Sequence, residues 1–193
     1  MTRFFAPLIA ATTVGALCAA IIGCSHSSDN AVPRPTAYPR VEIYDSTYTA
    51  VPGSPLHIEL SSHASVEVDS SRISSVWINA TYPAYGATLH CTITPASGDA
   101  SGDVVANRSE RMSLNTGGHP TEVTSGNAPS GFASQILVTP AGTITPVQFL
   151  SVSPQWVVSG ALYLPGADTA PDSVAPIVKA VYRDLVHLTK TIR

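Results

Sequence analysis

Toward its C-terminus the chain turns from a period of two to a period of three and four. Val174, Ile177, Val178, Val181, Leu185, Leu188 and Ile192 recur at helical steps, and that spacing gathers them on one face of a 3.6-residue spiral. The pattern predicts a helix over residues 173–191 whose apolar face must be buried. Asp172 or Ser173 is expected to cap its first backbone N–H groups, Pro176 to sit harmlessly in its first turn, and Lys190 and Arg193 to meet the negative end of its dipole. Residues 156–164 just before it read as a strand that closes a sheet, and a helix so apolar on one side needs such a sheet as its partner.

Two alternating runs within residues 76–94, VWINATYPAYGATLHCTIT, flank Pro83, Ala84, Tyr85 and Gly86, the composition of a four-residue hairpin loop. Pairing Tyr82 with Ala87 sets Ala80 opposite Leu89, Ile78 opposite Cys91 and Val76 opposite Ile93, so one side of the hairpin is entirely core. The other side gathers Trp77, Asn79 and Thr81 against Thr88, His90 and Thr92, because successive strand residues point to opposite faces. His90 and Cys91 therefore point apart and cannot grip one metal ion. Trp77, Asn79 and His90 form a candidate partner-binding face if this side is open, since a large aromatic beside polar donors is the make-up of an interface anchor. A helix laid over the same side makes them ordinary packing.

Shorter alternating runs predict further strands over residues 40–45, 56–60, 64–68, 131–139 and 143–151, with a weaker helical patch over 104–114. Pro146 argues that its strand is an edge or carries a bulge, and Gly160 marks a close approach, expected from the terminal helix. Together these predict a single α+β domain, an antiparallel sheet of about six to eight strands with the C-terminal amphipathic helix across one face.

Composition narrows the surroundings. Charged residues make up 12% of the 193 and only two are lysines, so the surface is rich in hydroxyls rather than ions. A net charge of −3 with dispersed arginines gives no electrostatic footprint for nucleic acid. A basic start at residues 1–3, an apolar run over 4–22 and the sequence Ile21-Ile22-Gly23-Cys24 have the form of a bacterial lipoprotein signal, in which Cys24 is lipidated and begins the mature chain. The competing reading is an uncleaved membrane anchor. The expected organisation is a signal peptide over 1–23, a flexible tether over 24–36 and one domain over 37–193. Ser25 is not the aspartate that retains lipoproteins at the inner membrane, so the expected place is the outer membrane, facing the periplasm. Cys18 leaves with the signal, and Cys91 is then without an intrachain partner.

The chemistry-bearing residues offer no catalytic pattern. G-x-S-x-G, H-E-x-x-H, P-loop and C-x-x-C signatures are absent, which removes the warrant for the common hydrolase, metalloprotease, nucleotide and thiol-redox readings. His57, His63 and His187 lack a spaced set of ligands and read as surface or strand residues. Tyr38, Tyr82, Tyr85 and Tyr163 are open to two readings, a binding belt or sheet-edge residues. No catalytic residue, metal site or cofactor is expected.

Several segments resemble one known family. Residues 159–164 (SGALYL), 172–178 (DSVAPIV) and 184–191 (DLVHLTKT) are similar to the C-terminal end of the gliding motility-associated lipoprotein family GldD of Bacteroidetes. Residues 34–40 resemble its R-P-x-G-Y-x-R opening, with Ala37 in place of glycine. Trp77-Ile78-Asn79 with Tyr82-Pro83 resembles its W-I-N-I-x-Y-P segment, and Gln148-Phe149 its Q-F core strand. The chain departs from the family at Cys91 and Thr92, where serine and tyrosine are usual, at Ser159 in place of arginine, and at His119-Pro120-Thr121, which keeps no lysine of the H-T-x-K-A motif. The resemblance implies a non-catalytic, lipid-anchored component of gliding motility or type IX secretion that binds partner proteins, with an arrangement similar to Mog1/PsbP-like domains. A second reading is a periplasmic lipoprotein that binds cell wall or glycan through Trp77, Asn79 and His90.

Overall fold

The structure is a computed structural model that describes residues 42–45, 47–71 and 74–193, all within one compact unit, Tyr38–Arg193. The signal segment, Cys24, the tether and Tyr38 lie outside the described residues. Short strands β1 (Tyr48–Ala50) and β2 (Glu59–Ser61) pair as a small antiparallel sheet. The main sheet is built from β3 (Ser65–Asp69), β4 (Val76–Tyr82), β5 (Ala87–Pro95), β6 (Glu122–Asn127), β7 (Ala133–Val138), β8 (Val147–Val152) and β9 (Trp156–Tyr163). Its seven strands run in the order β3-β4-β5-β9-β8-β7-β6, every neighbour antiparallel. Two helices complete the domain, α1 (Asp99–Asn115) between β5 and β6, and α2 (Pro171–Thr191) at the end.

The hairpin register is the one that alternation predicts, with Tyr82 opposite Ala87, Ile78 opposite Cys91 and Val76 opposite Ile93. Carried across β9 and β8, the same face presents Val158, Leu162, Val147 and Phe149. Helix α2 lies on this face, burying Ile177, Val181, Leu185, Leu188 and the following Ile192 in one core with Ile78, Leu89, Ile93 and Phe149. Each such side chain contributes roughly 1.5–3 kcal/mol gross, an upper bound because the unfolded chain is already partly collapsed. Cys91 is buried here too, and burial pushes its thiol up to about 12, so it stays protonated and inert.

Several details of the fold differ from the sequence reading. Helix α2 begins two residues earlier than expected, at Pro171, with no side-chain cap, and the Ser173 hydroxyl donates instead to the Ala170 carbonyl at 2.7 Å. Pro176 consequently lies beyond the first turn, where its missing N–H forgoes a bond to the carbonyl four residues back. Arg193 follows the helix, and its backbone exchanges hydrogen bonds with His57 (2.7 and 3.2 Å). Residues 42–45 form no strand. β9 is not a closing edge but the fourth of seven strands, between β5 and β8. Pro146 stands just before β8, an interior strand, where its carbonyl accepts from the Thr139 N–H at 2.9 Å and its missing donor disturbs no ladder. The close approach at Gly160 comes from the sheet itself, because a Cβ there would meet Phe149 Cε1 at 2.5 Å and the His90 carbonyl at 2.9 Å.

Candidate functional site

The opposite face of the sheet is covered over only part of its width. Helix α1 packs on β8 and β9, where Met112, Leu150, Val157 and Ala96 form a second small core. Gln148 is buried beneath it, donating to the Met112 carbonyl at 3.2 Å and accepting from the Asn115 side chain at 3.0 Å. A glutamine inside a strand core is thus satisfied by the helix end it holds in place. Where α1 stops, the face opens, and Trp77 (39% exposed), His90 and Tyr163 (42%) stand in solvent.

On this open half, Asn79 and His90 are directly opposite each other across the β4–β5 ladder. The His90 ring donates from Nδ1 to the Asn79 side-chain oxygen at 2.7 Å, which fixes the ring and places the hydrogen on Nδ1. Tyr163 meets that ring edge-on, with centroids 5.1 Å apart and planes at 81°. Thr81 and Thr88 extend the row with a hydroxyl contact at 3.5 Å. Asp69 and Glu67 of β3 lie opposite Trp77 and Asn79 on the outer side. The surface is therefore a rigid platform of aromatic, amide and hydroxyl groups on a sheet, with an acidic outer strand.

Beside it, under the edge of α1, is a hollow of about 170 Å³ whose walls include His90, Thr92, Tyr163, Arg108 and Arg111. Its lining includes Gly160 and the small side chain of Ala161 on β9. The arginines face it from α1, one helical turn apart. Arg108 is depressed below the ordinary guanidinium value by burial and then by the charge of Arg111.

A second cluster of titratable groups lies on the other side of the domain. Glu59 of β2 accepts from His57 Nε2 at 2.9 Å and from His187 Nε2 at 2.6 Å, and both hydrogen bonds hold its carboxyl below the usual range. The His187 ring stacks on Tyr48 at 3.6 Å, nearly parallel. The Tyr48 hydroxyl in turn donates to Asp184 at 3.2 Å. Asp184 is buried, and desolvation raises its carboxyl despite the Tyr48 bond. The nearby Tyr82 hydroxyl is buried without a hydrogen bond, and burial together with the Asp184 charge raises it. This cluster clamps the small sheet onto α2. His57 and His187, isolated in sequence, are partners in space through one carboxylate.

Trp77, Asn79 and His90 thus share one face. Tyr82, Tyr85 and Tyr163, the described members of the expected belt, do not form one. Tyr82 is in the core, Tyr85 stacks on Tyr82 and Tyr44 beside the hairpin turn, and Tyr163 alone joins the open platform. Among the described residues, no group of three or more His, Cys, Asp or Glu is placed to hold a metal ion, and no helix is long and apolar enough to cross a membrane.

The platform, the flanking hollow and the helix-backed sheet can be set beside known proteins. The family model of the gliding motility lipoprotein GldD matches residues 28–193, which contain every described residue. No curated protein matches the chain.

Proposed function

The chain belongs to the gliding motility lipoprotein GldD family, and from that premise we propose that it is a non-catalytic accessory component of the gliding and type IX secretion machinery that binds partner proteins. Membership of a lipoprotein family linked to gliding motility carries membrane anchoring in the cell envelope. The finer assignments are ours. Cys24 is the lipidated residue, 1–23 its signal, 24–36 its tether, and the outer membrane, on the periplasmic side, its place. The lipid holds the chain at the bilayer, and the domain presents the platform of Trp77, Asn79 and His90 to another protein.

One observation carries the proposed surface: α1 covers β8 and β9 while Trp77 and His90 remain exposed on the same face. A large aromatic on a rigid strand gives contact area at little entropic cost, and fixed polar neighbours give orientation. The test is a photo-crosslinking residue placed at Thr81, exposed on that platform, with a control at Lys190 on α2. Covalent capture of a gliding or secretion protein from Thr81 alone is the expected result. Equal capture from Lys190, or capture of cell-wall fragments in place of protein, would overturn the assignment. For the anchor, Cys24→Ser is expected to move the chain out of the membrane fraction, since an acylated cysteine is the sole proposed attachment.

A further inference from the structure

We infer that the hollow between α1 and the β5–β9 ladder is a carboxylate-binding site, built to receive one acidic side chain of the partner protein. The inference rests on the partner-binding reading above and names the chemistry of the contact.

Two arginines line a concavity of about 170 Å³, and neither makes an ion pair or hydrogen bond among the described residues. Like charges on one helical turn repel, and Arg108, the partly buried member of the pair, also loses some of its water, while Arg111 stays exposed. The effect is visible in the lowered proton affinity of Arg108. The repulsion is a small cost to the fold, and an anion seated between the two guanidinium groups would offset it.

The remaining wall groups suit the same guest. Tyr163 carries a phenol, and Thr92 and Ser159 carry hydroxyls, all of which can rotate to donate. His90, its hydrogen given to Asn79, shapes the wall without donating. Arginine's planar fork matches the two oxygens of a carboxylate. Size argues against a larger ligand, because small-molecule sites usually occupy about 300–1,000 Å³, well above this hollow. A single aspartate or glutamate side chain fits, with Trp77 and the threonine row beside it supplying contact to the segment that bears it. Charge distribution agrees, since the outer strand of the platform is acidic at Glu67 and Asp69 and only the inner edge attracts an anion.

The test uses the full chain in detergent micelles and needs no partner. Phenylglyoxal modifies accessible arginines, and peptide mass spectrometry reads the rate at each one. N-acetylglutamate methylamide is the probe and N-acetylglutamine methylamide its uncharged control. Saturable protection of Arg108 and Arg111 by the glutamate probe, with Arg183 and Arg193 unprotected, is expected. Arg111→Gln should weaken protection of Arg108 by about tenfold, the loss of one charge-assisted contact. The same variant should melt no lower than the parent, because repulsion is relieved. A fall in melting temperature would make the arginines structural and overturn the inference. So would protection by the glutamine control, equal protection of Arg108, Arg111, Arg183 and Arg193, or inorganic phosphate protecting more tightly than the glutamate probe. Failure here with crosslinking intact at Thr81 removes the carboxylate and leaves the partner surface standing.

Discussion

Glu59 and His187 are 128 residues apart in sequence, and their side chains meet at 2.6 Å. With His57 on the other carboxylate oxygen at 2.9 Å, Glu59 joins the small sheet to α2 at a point remote from the open platform. Because its folded proton affinity lies below the ordinary carboxylate value, Glu59 contributes stability that is fully present above the unfolded pKa, near 4.3, and is lost as pH falls through the folded value. Glu59→Gln is expected to cost about 0.5–1 kcal/mol at neutral pH, the range for a partly exposed pair. The cost should shrink toward zero in acid. Urea denaturation of both proteins at pH 7 and below pH 4 checks it, and an equal difference at both pH values would contradict it.

Asp184 runs with the opposite sign. Burial raises its carboxyl in the fold, so ionising it costs stability, a cost that appears as pH rises through the interval above the unfolded pKa. Asp184→Asn keeps an oxygen for the Tyr48 hydroxyl and removes the charge. We expect a gain of at most about 1 kcal/mol at pH 7, discounted for solvent screening, vanishing below about pH 4. Thermal melts of the two proteins across that range measure it.

Gly160 tests the packing that shapes the sheet. An added Cβ would fall 2.5 Å from the Phe149 ring, 2.9 Å from the His90 carbonyl and 3.1 Å from the Cys91 sulfur. The ring can shift, but the backbone carbonyl is held in the β5–β9 ladder. Gly160→Ala is therefore expected to destabilise by about 1–3 kcal/mol, read as a lower urea midpoint. An unchanged midpoint would show that the strands part without cost.

The parts of this protein written in local periodicity were the legible ones. The hairpin register follows from alternation between Val76 and Ile93, and the buried stripe of α2 follows from helical spacing, with Leu185 and Leu188 fully buried. β6 carries no such signal, because Glu122–Asn127 is exposed along its whole length and alternates nothing apolar. β1 and β2 are three residues each, too short for a period to show. Trp77, Asn79 and His90 come together through one hairpin and could be placed on one face in advance. Whether a helix covered them depended on where α1 packs, a long-range fact held by Gln148. The Glu59 cluster and the arginine hollow each draw on separate elements, and no spacing along the chain announces them. Lysine-poor composition was the faint clue to the hollow, since it leaves arginine as nearly the whole cationic inventory.

In the proposed function the Trp77 face binds a partner protein, and its aromatic ring contributes more to that contact than to the fold. Trp77→Ala, assayed for melting temperature and for recovery of the Thr81-crosslinked partner on the same sample, tests it most directly. At 39% exposure more than half of the side chain is covered, so the truncation is expected to cost about 1–2 kcal/mol, against about 3–5 kcal/mol for a tryptophan packed in a core. Partner recovery should fall severalfold while the melting temperature drops by only a few degrees. A large drop in melting temperature, or full recovery of the partner from an unaltered fold, would contradict the account.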